Sequence, residues 1–139
     1  MTIKEIENQI VDEFMAFDQW LDKYEYIIDL GKTMPIIDAD KKIEENLISG
    51  CQSRVWLDCS SDEKGLLRFR ADSDAIITKG IISLLIRVFD GQKAEDILAA
   101  DVDFIDEIGL KENLSPTRAN GLVSMLGKIK AYALAFSQK

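Results

Sequence analysis

Cys51 stands in the stretch SGCQSRVW, residues 49 to 56, between a glycine and two polar residues and just ahead of a run that alternates like a β-strand. The chain has one other thiol, Cys59, and no histidine. Serine triads, cysteine–histidine proteases and histidine-bearing zinc motifs all need an imidazole as base or ligand, so those classes are excluded. Two sulfurs fall short of the roughly four Cys or His ligands that a structural zinc site or an iron–sulfur cluster takes. Asp101 and Asp103 lack the spaced oxygen ligands and turn glycine of a calcium loop, which argues against a dedicated metal site. Neither GxxxxGK[ST] nor GxGxxG occurs, so no glycine-rich loop cradles a phosphate. Thiol chemistry is what remains.

The two cysteines differ in setting. Cys59 shares a strand face with Val55 and Leu57 and reads as core, since free cysteine is among the most often buried residue types. Eight extended steps of ~3.3 Å separate it from Cys51, far beyond the ~7 Å limit for a disulfide. The local sequence leaves Cys51 open between an unused cysteine at a bend and a nucleophile. As a nucleophile without histidine, it would draw its thiolate from nearby cations, backbone N–H groups or a partner protein. Attack on a sulfur already bonded to sulfur suits such a thiol, because that step needs neither carbonyl activation nor an oxyanion hole.

The elements that must position these thiols follow from periodicity. Ile6, Ile10, Phe14 and Phe17, then Leu21, Tyr24 and Ile28, recur at three- and four-residue spacing on one side of helical segments. A break is expected near Phe17 with Asp18 capping the second helix, and Gly31 reads as its stop. Ser53 to Cys59 and LLRFRA, residues 66 to 71, alternate with period two and form an antiparallel hairpin across SSDEKG. A short neighbouring strand at Asn46 to Ser49 would put Gly50 and Cys51 at a bend. Ser73 or Asp74 can cap the helix AIITKGIISLLIRVF, whose apolar residues run nearly all round and mark it as the buried central helix. Asp90 and Gly91 end it, and short helical pieces follow around AEDILAA and VDFIDEI.

The last helix opens with Ser115 as cap and Pro116 at its first position, and buries Leu122, Met125, Leu126, Ile129, Ala133 and Phe136. Gly121 and Gly127 inside it each cost ~1 kcal/mol relative to alanine, which close approach of another backbone would justify. The whole reads as an α+β fold, a small antiparallel sheet packed against several helices.

With 139 residues, 47% hydrophobic and 30% charged, the chain fits one domain over residues 1–139. The charged N-terminus is unlike a secretory signal and no stretch is long enough to cross a bilayer, so a soluble, cytoplasmic protein is expected. Net charge is −8, with twelve acids against five bases in residues 1 to 50 and four bases without an acid from 115 onward. That balance argues against nucleic acid. The acidic front half reads as a solvated surface or as a meeting face for a basic protein.

Four blocks, YEYIIDLGKTMP at 24 to 35, ISGCQSRVW at 48 to 56, RADSDAIITKG at 70 to 80 and LSPTRANGL at 114 to 122, resemble the SufE-like cysteine desulfuration proteins. The resemblance implies a SufE/IscU-type fold and a role beside a cysteine desulfurase, the partner that would carry pyridoxal phosphate; no cofactor is expected in this chain. By the same resemblance Cys51 accepts persulfide sulfur from the desulfurase, stimulates it, and passes the sulfur to an iron–sulfur scaffold protein. Asp74 in ADSDA and Arg118 in TRANG carry over as supporting positions. Asp74 also reads as a plain N-cap, worth ~1 kcal/mol. Arg118 stands near a helix start, where the macrodipole disfavours a cation, and so calls for a compensating anion: the Cys51 thiolate or a partner carboxylate. A non-catalytic adaptor that activates the desulfurase without carrying sulfur is the alternative, and a stand-alone thiol redox enzyme a third reading. Whether the chain is a monomer or a homodimer is left open.

Overall fold

The computed structural model describes residues 1–51 and 53–138. Gln52 and Lys139, the residue after Cys51 and the last of the four C-terminal bases, lie outside the described residues. The elements run in the order α1 (Ile3–Met15), α2 (Trp20–Gly31), β1 (Val55–Ser61), β2 (Leu67–Ser73), α3 (Ile76–Phe89), α4 (Ala94–Ala99), α5 (Phe104–Glu107), α6 (Leu110–Asn113) and α7 (Pro116–Ser137). Two 3-10 turns, Ala39–Lys41 and Glu44–Asn46, lie between α2 and the hairpin.

Thr2 starts α1 through a reciprocal capping box with Glu5. The chain breaks after Met15 as expected, but Asp18 is not the cap: Gln19 holds that position in extended backbone, without a side-chain bond to the helix. Gly31 departs further from its expected role. It is the last residue of α2 rather than a left-handed stop, and Lys32 after it is still right-handed. Its hydrogen is needed because α2 crosses α3 there: a Cβ on Gly31 would lie 3.0 Å from the Gly80 nitrogen, and one on Gly80 would lie 2.2 Å from the Ile27 carbonyl oxygen. The crossing is thus backbone against backbone. Arg87 of α3 adds an ion pair and hydrogen bonds to Glu13 of α1, which also accepts from the Tyr26 hydroxyl of α2. The guanidinium beside it holds the Glu13 carboxyl below the usual carboxylate range.

The hairpin follows its two-residue period. Val55, Leu57 and Cys59 face inward from β1, and Leu67, Phe69 and Ala71 from β2, in a register that sets Cys59 opposite Phe69 and Val55 opposite Ser73. The turn is held by Asp62, whose carboxylate accepts from the Lys64 and Leu66 N–H groups. Asn46 to Ser49 makes no third strand: it pairs with β1 at a single bridge, Leu47 to Trp56, because residues 44 to 46 are wound into a 3-10 turn. On the other edge Ile36 bridges Ala71. Helix α3 lies across the inner face of the sheet with ten of its residues buried. Helix α7 packs against α4, α3 and β1, burying Leu122, Met125, Ile129 and Ala133, with Leu126 and Phe136 half-buried. Its Tyr132 hydroxyl meets both the Leu57 carbonyl of β1 and the Asn46 side chain, each at 2.8 Å. Among the described residues no helix is long and apolar enough to cross a membrane.

Candidate functional site

The bend that carries Cys51 is pinned from both ends. Before it, Gly50 takes φ +89°, a conformation side chains rarely adopt, and a Cβ there would fall 2.5 Å from the Ser124 hydroxyl of α7. After it, the Arg54 N–H donates to the Asp74 carboxylate at 3.0 Å, and the Asp74 N–H returns a bond to the Arg54 carbonyl at 3.2 Å. The Ser73 hydroxyl donates to that same carbonyl at 2.8 Å. These bonds overturn the expectation that Ser73 or Asp74 caps α3. The N-cap is Ala75, whose methyl can make no cap bond; the Asp74 carboxylate is turned toward Arg54, and the Ser73 hydroxyl donates to the Arg54 carbonyl while accepting the Ala75 N–H at 3.3 Å.

Cys51 itself is half-buried against the first turns of α7. Its thiol donates to the Gly121 carbonyl at 3.7 Å, and a Cβ on Gly121 would stand 3.4 Å from Sγ. The close backbone approach expected at Gly121 is not found: the nearest neighbour is the Cys51 side chain, at ordinary van der Waals distance from where a Cβ would stand. Gly127 has open space around its Cα, and nothing in the structure explains it. Beside Sγ lies a cavity of about 50 Å³ lined by Cys51, Ser53, Thr78, Ile81, Thr117, Arg118, Gly121 and Met125. Burial pushes the Cys51 thiol up from its ordinary value. A raised thiol holds its proton at neutral pH, so it is a poor nucleophile while it sits here.

Arg118 lies where the sequence places it, in the first turn of α7, with Ser115 accepting its N–H at 3.3 Å and Pro116 at the first helical position. The anion expected beside it is not found: among the described residues its guanidinium makes no ion pair and donates instead to the Tyr24 hydroxyl, at 3.4 Å. The structure thus brings Arg118 to the wall of the Cys51 cavity and keeps Asp74 one step removed, holding the backbone that follows the bend. Cys59 is buried in the hairpin and unbridged, its thiol pushed up to about 12 by burial and then by Asp58 and Asp90. Asp101 and Asp103 line a separate open groove of about 660 Å³, and among the described residues no cluster of His, Cys, Asp or Glu is placed to hold a metal ion.

Thr78 and Tyr24 belong to this neighbourhood without having been singled out from the sequence. Tyr24 follows the apolar period of its helix, and its hydroxyl end is what reaches Arg118. Thr78 stands with Lys79 between the apolar pairs Ile76–Ile77 and Ile81–Ile82 in the first turns of α3, within the block 70 to 80 that carries the resemblance.

The family model described as SufE, the Fe–S metabolism associated domain, matches residues 8–133. The chain belongs to the SufE family. That membership places it in iron–sulfur metabolism. An uncharacterized SufE-like protein of Rhizobium meliloti is 42% identical over 130 residues, covering 91% of this chain and 93% of that one. Another, of Rhizobium etli, is 41% identical over 130 residues, with 91% and 88% covered. A solution structure of a hypothetical protein from Thermus thermophilus superposes with a TM-score of 0.79 at 20% identity, over 96% of this chain and 97% of that one. At that identity the likeness speaks for the fold, and it agrees with the α+β architecture expected for a SufE chain.

Proposed function

We propose that this SufE-family protein is a sulfur-relay subunit, acting in the cytoplasm as one domain over residues 1–139. A cysteine desulfurase, whose own pyridoxal phosphate frees the sulfur, would load Cys51, and an iron–sulfur scaffold protein would unload it. One observation carries the reading: the Cys51 thiol opens onto a small cavity with no carboxylate or other base among the described residues of its wall. In the transfer, the Cys51 thiolate attacks the terminal sulfur of a desulfurase persulfide. A new S–S bond forms on Cys51, the old one breaks, and the desulfurase cysteine leaves as thiolate; the sulfur moves with its hydrogen, so no oxidant or reductant enters.

The cavity of about 50 Å³ exceeds the ~10–15 Å³ that one small guest needs, so a further sulfur fits beside Sγ. Burial there would shield the carried sulfur from oxidants and stray thiols. Because the same burial keeps the empty thiol protonated, ionisation is assigned to docking, when the partner draws the bend from its pocket or brings a cation to it. Arg118 and Asp74 support the bend, the first at the cavity wall and the second through Arg54.

Incubation with a cysteine desulfurase and cysteine, followed by intact mass measurement, tests the relay. The parent should gain one sulfur and Cys51→Ser none; equal gain on both would remove Cys51 as the acceptor. Desulfurase turnover separates the adaptor alternative, since an adaptor would stimulate equally well with serine at position 51.

A further inference from the structure

Thr78 is 8% exposed and lines the Cys51 cavity, yet among the described residues its hydroxyl has no hydrogen-bond partner. A threonine inside a helix commonly returns its hydroxyl proton to the carbonyl four residues back. Thr78 does not. Among the described residues no completely sealed side-chain polar atom lacks a partner, so the Thr78 hydroxyl keeps some surface of its own, and Thr78 is part of the cavity lining. The other hydroxyls of the cavity wall differ from it, because Ser53 is half-buried and Thr117 exposed, so both reach water more freely. An unpartnered hydroxyl on a nearly buried residue in the cavity lining is a donor available to a guest in that space.

The empty thiol is not that acceptor. Cys51 Sγ directs its proton to the Gly121 carbonyl and makes no bond with Thr78. A second sulfur, ~2.05 Å beyond Sγ, would extend into the cavity that the two side chains share. Once ionised, that sulfur would be an anion in an enclosed space, where donors in the wall decide whether it stays charged. Among the described residues Arg118 of α7 is the one charged side chain in the wall, with no carboxylate in ion-pair reach, and it is exposed and engaged with Tyr24.

We infer that Thr78 is the buried hydrogen-bond donor for the terminal sulfur carried on Cys51, silent toward the empty thiol and engaged once sulfur is loaded. This rests on the relay reading. It makes Thr78 the residue that distinguishes the charged carrier from the empty one and keeps its cargo from small thiols.

The test loads Cys51 chemically with inorganic polysulfide, without desulfurase, in the parent and in Thr78→Val, Thr78→Ala and Thr78→Ser, with Cys51→Ser as background. Two quantities are read: the pH midpoint at which the loaded sulfur ionises, and the rate at which a small thiol strips it. Losing a hydrogen bond to an anion should raise the midpoint by about one unit and speed stripping about tenfold in Thr78→Val and Thr78→Ala. Thr78→Ser should behave as the parent, and alkylation of the empty thiol should be the same in all. Unchanged midpoints would overturn the inference. So would a serine variant that behaves like valine, or empty-thiol reactivity that shifts in step, since either would mark a general disturbance of packing. Failure of the relay reading looks different: Cys51 would load from polysulfide but not from desulfurase, whatever the Thr78 variants did.

Discussion

Asp74 does not touch Cys51 but is bonded to the backbone three residues after it. Its carboxylate accepts the Arg54 N–H and its own N–H returns to the Arg54 carbonyl, so the chain leaving the bend is stitched to the end of β2 at a residue next to α3. Removing the carboxylate frees the Arg54 N–H to water and leaves one bond of the pair. Asp74→Ala should therefore cost about 1 kcal/mol in urea unfolding and raise the alkylation rate of Cys51 several-fold. Asp74→Asn keeps an acceptor oxygen and should stay near the parent in both. If alanine left the alkylation rate unchanged, the bend would be held by Gly50 and the Cys51–Gly121 contact alone. A capping role would give another pattern, loss of α3 stability with no effect on the thiol.

At the scale of elements, the α2–α3 crossing makes a sharper demand than any side chain. In Gly80→Ala the added methyl would press on the Ile27 carbonyl at 2.2 Å, and helix backbone cannot swing aside as a side chain can. Overpacking of this kind costs about 1–3 kcal/mol, against a helix-propensity gain of about 1. Gly127→Ala adds the same atom to open space in α7 and should gain about 1 kcal/mol. Opposite shifts of the urea midpoint are expected, and a neutral Gly80→Ala would mean the crossing relaxes.

These glycines also show what the sequence made legible. The hairpin could be read because a period of two is local: Val55, Leu57 and Cys59 declare their face within a few residues. The role of Gly31 could not, since it depends on Gly80 in another helix, and a glycine at a helix end suggests a stop when viewed alone. Gly121 read as a close approach of backbones, whereas its neighbour is the Cys51 side chain, 70 residues away, at ordinary contact distance. Cys51, Asp74 and Arg118 stood out through the SufE resemblance. Thr78 lies in the block 70 to 80 without standing out in it, because a hydroxyl beside Lys79 acquires meaning only from the cavity that its residue lines.

For the molecule as a whole, the alkaline side of the stability curve is the informative one. Cys59 and Tyr132 are both pushed up to about 12, from ordinary values of 9.0 and 10.0, chiefly by burial and further by Asp58. They sit where α7 meets β1: Tyr132 holds the Leu57 carbonyl and the Asn46 side chain, while Cys59 packs two residues further along the strand. Below about pH 9 both groups keep their protons whether the chain is folded or not, so their contribution is fully present. From there upward the unfolded chain releases protons that the folded one retains. The unfolded state then binds fewer, and stability must fall with rising pH until about 12, where the folded groups ionise as well. The net charge of −8 grows more negative over the same range and adds self-repulsion. Cys59→Val removes the thiol while retaining an apolar side chain of similar size. Urea unfolding from about pH 8 to about pH 11 should give a shallower decline for that variant than for the parent. Parallel declines would mean that water reaches Cys59 before the hairpin opens, and the inner face of β1 would then be less closed than its packing against Phe69 and α3 requires.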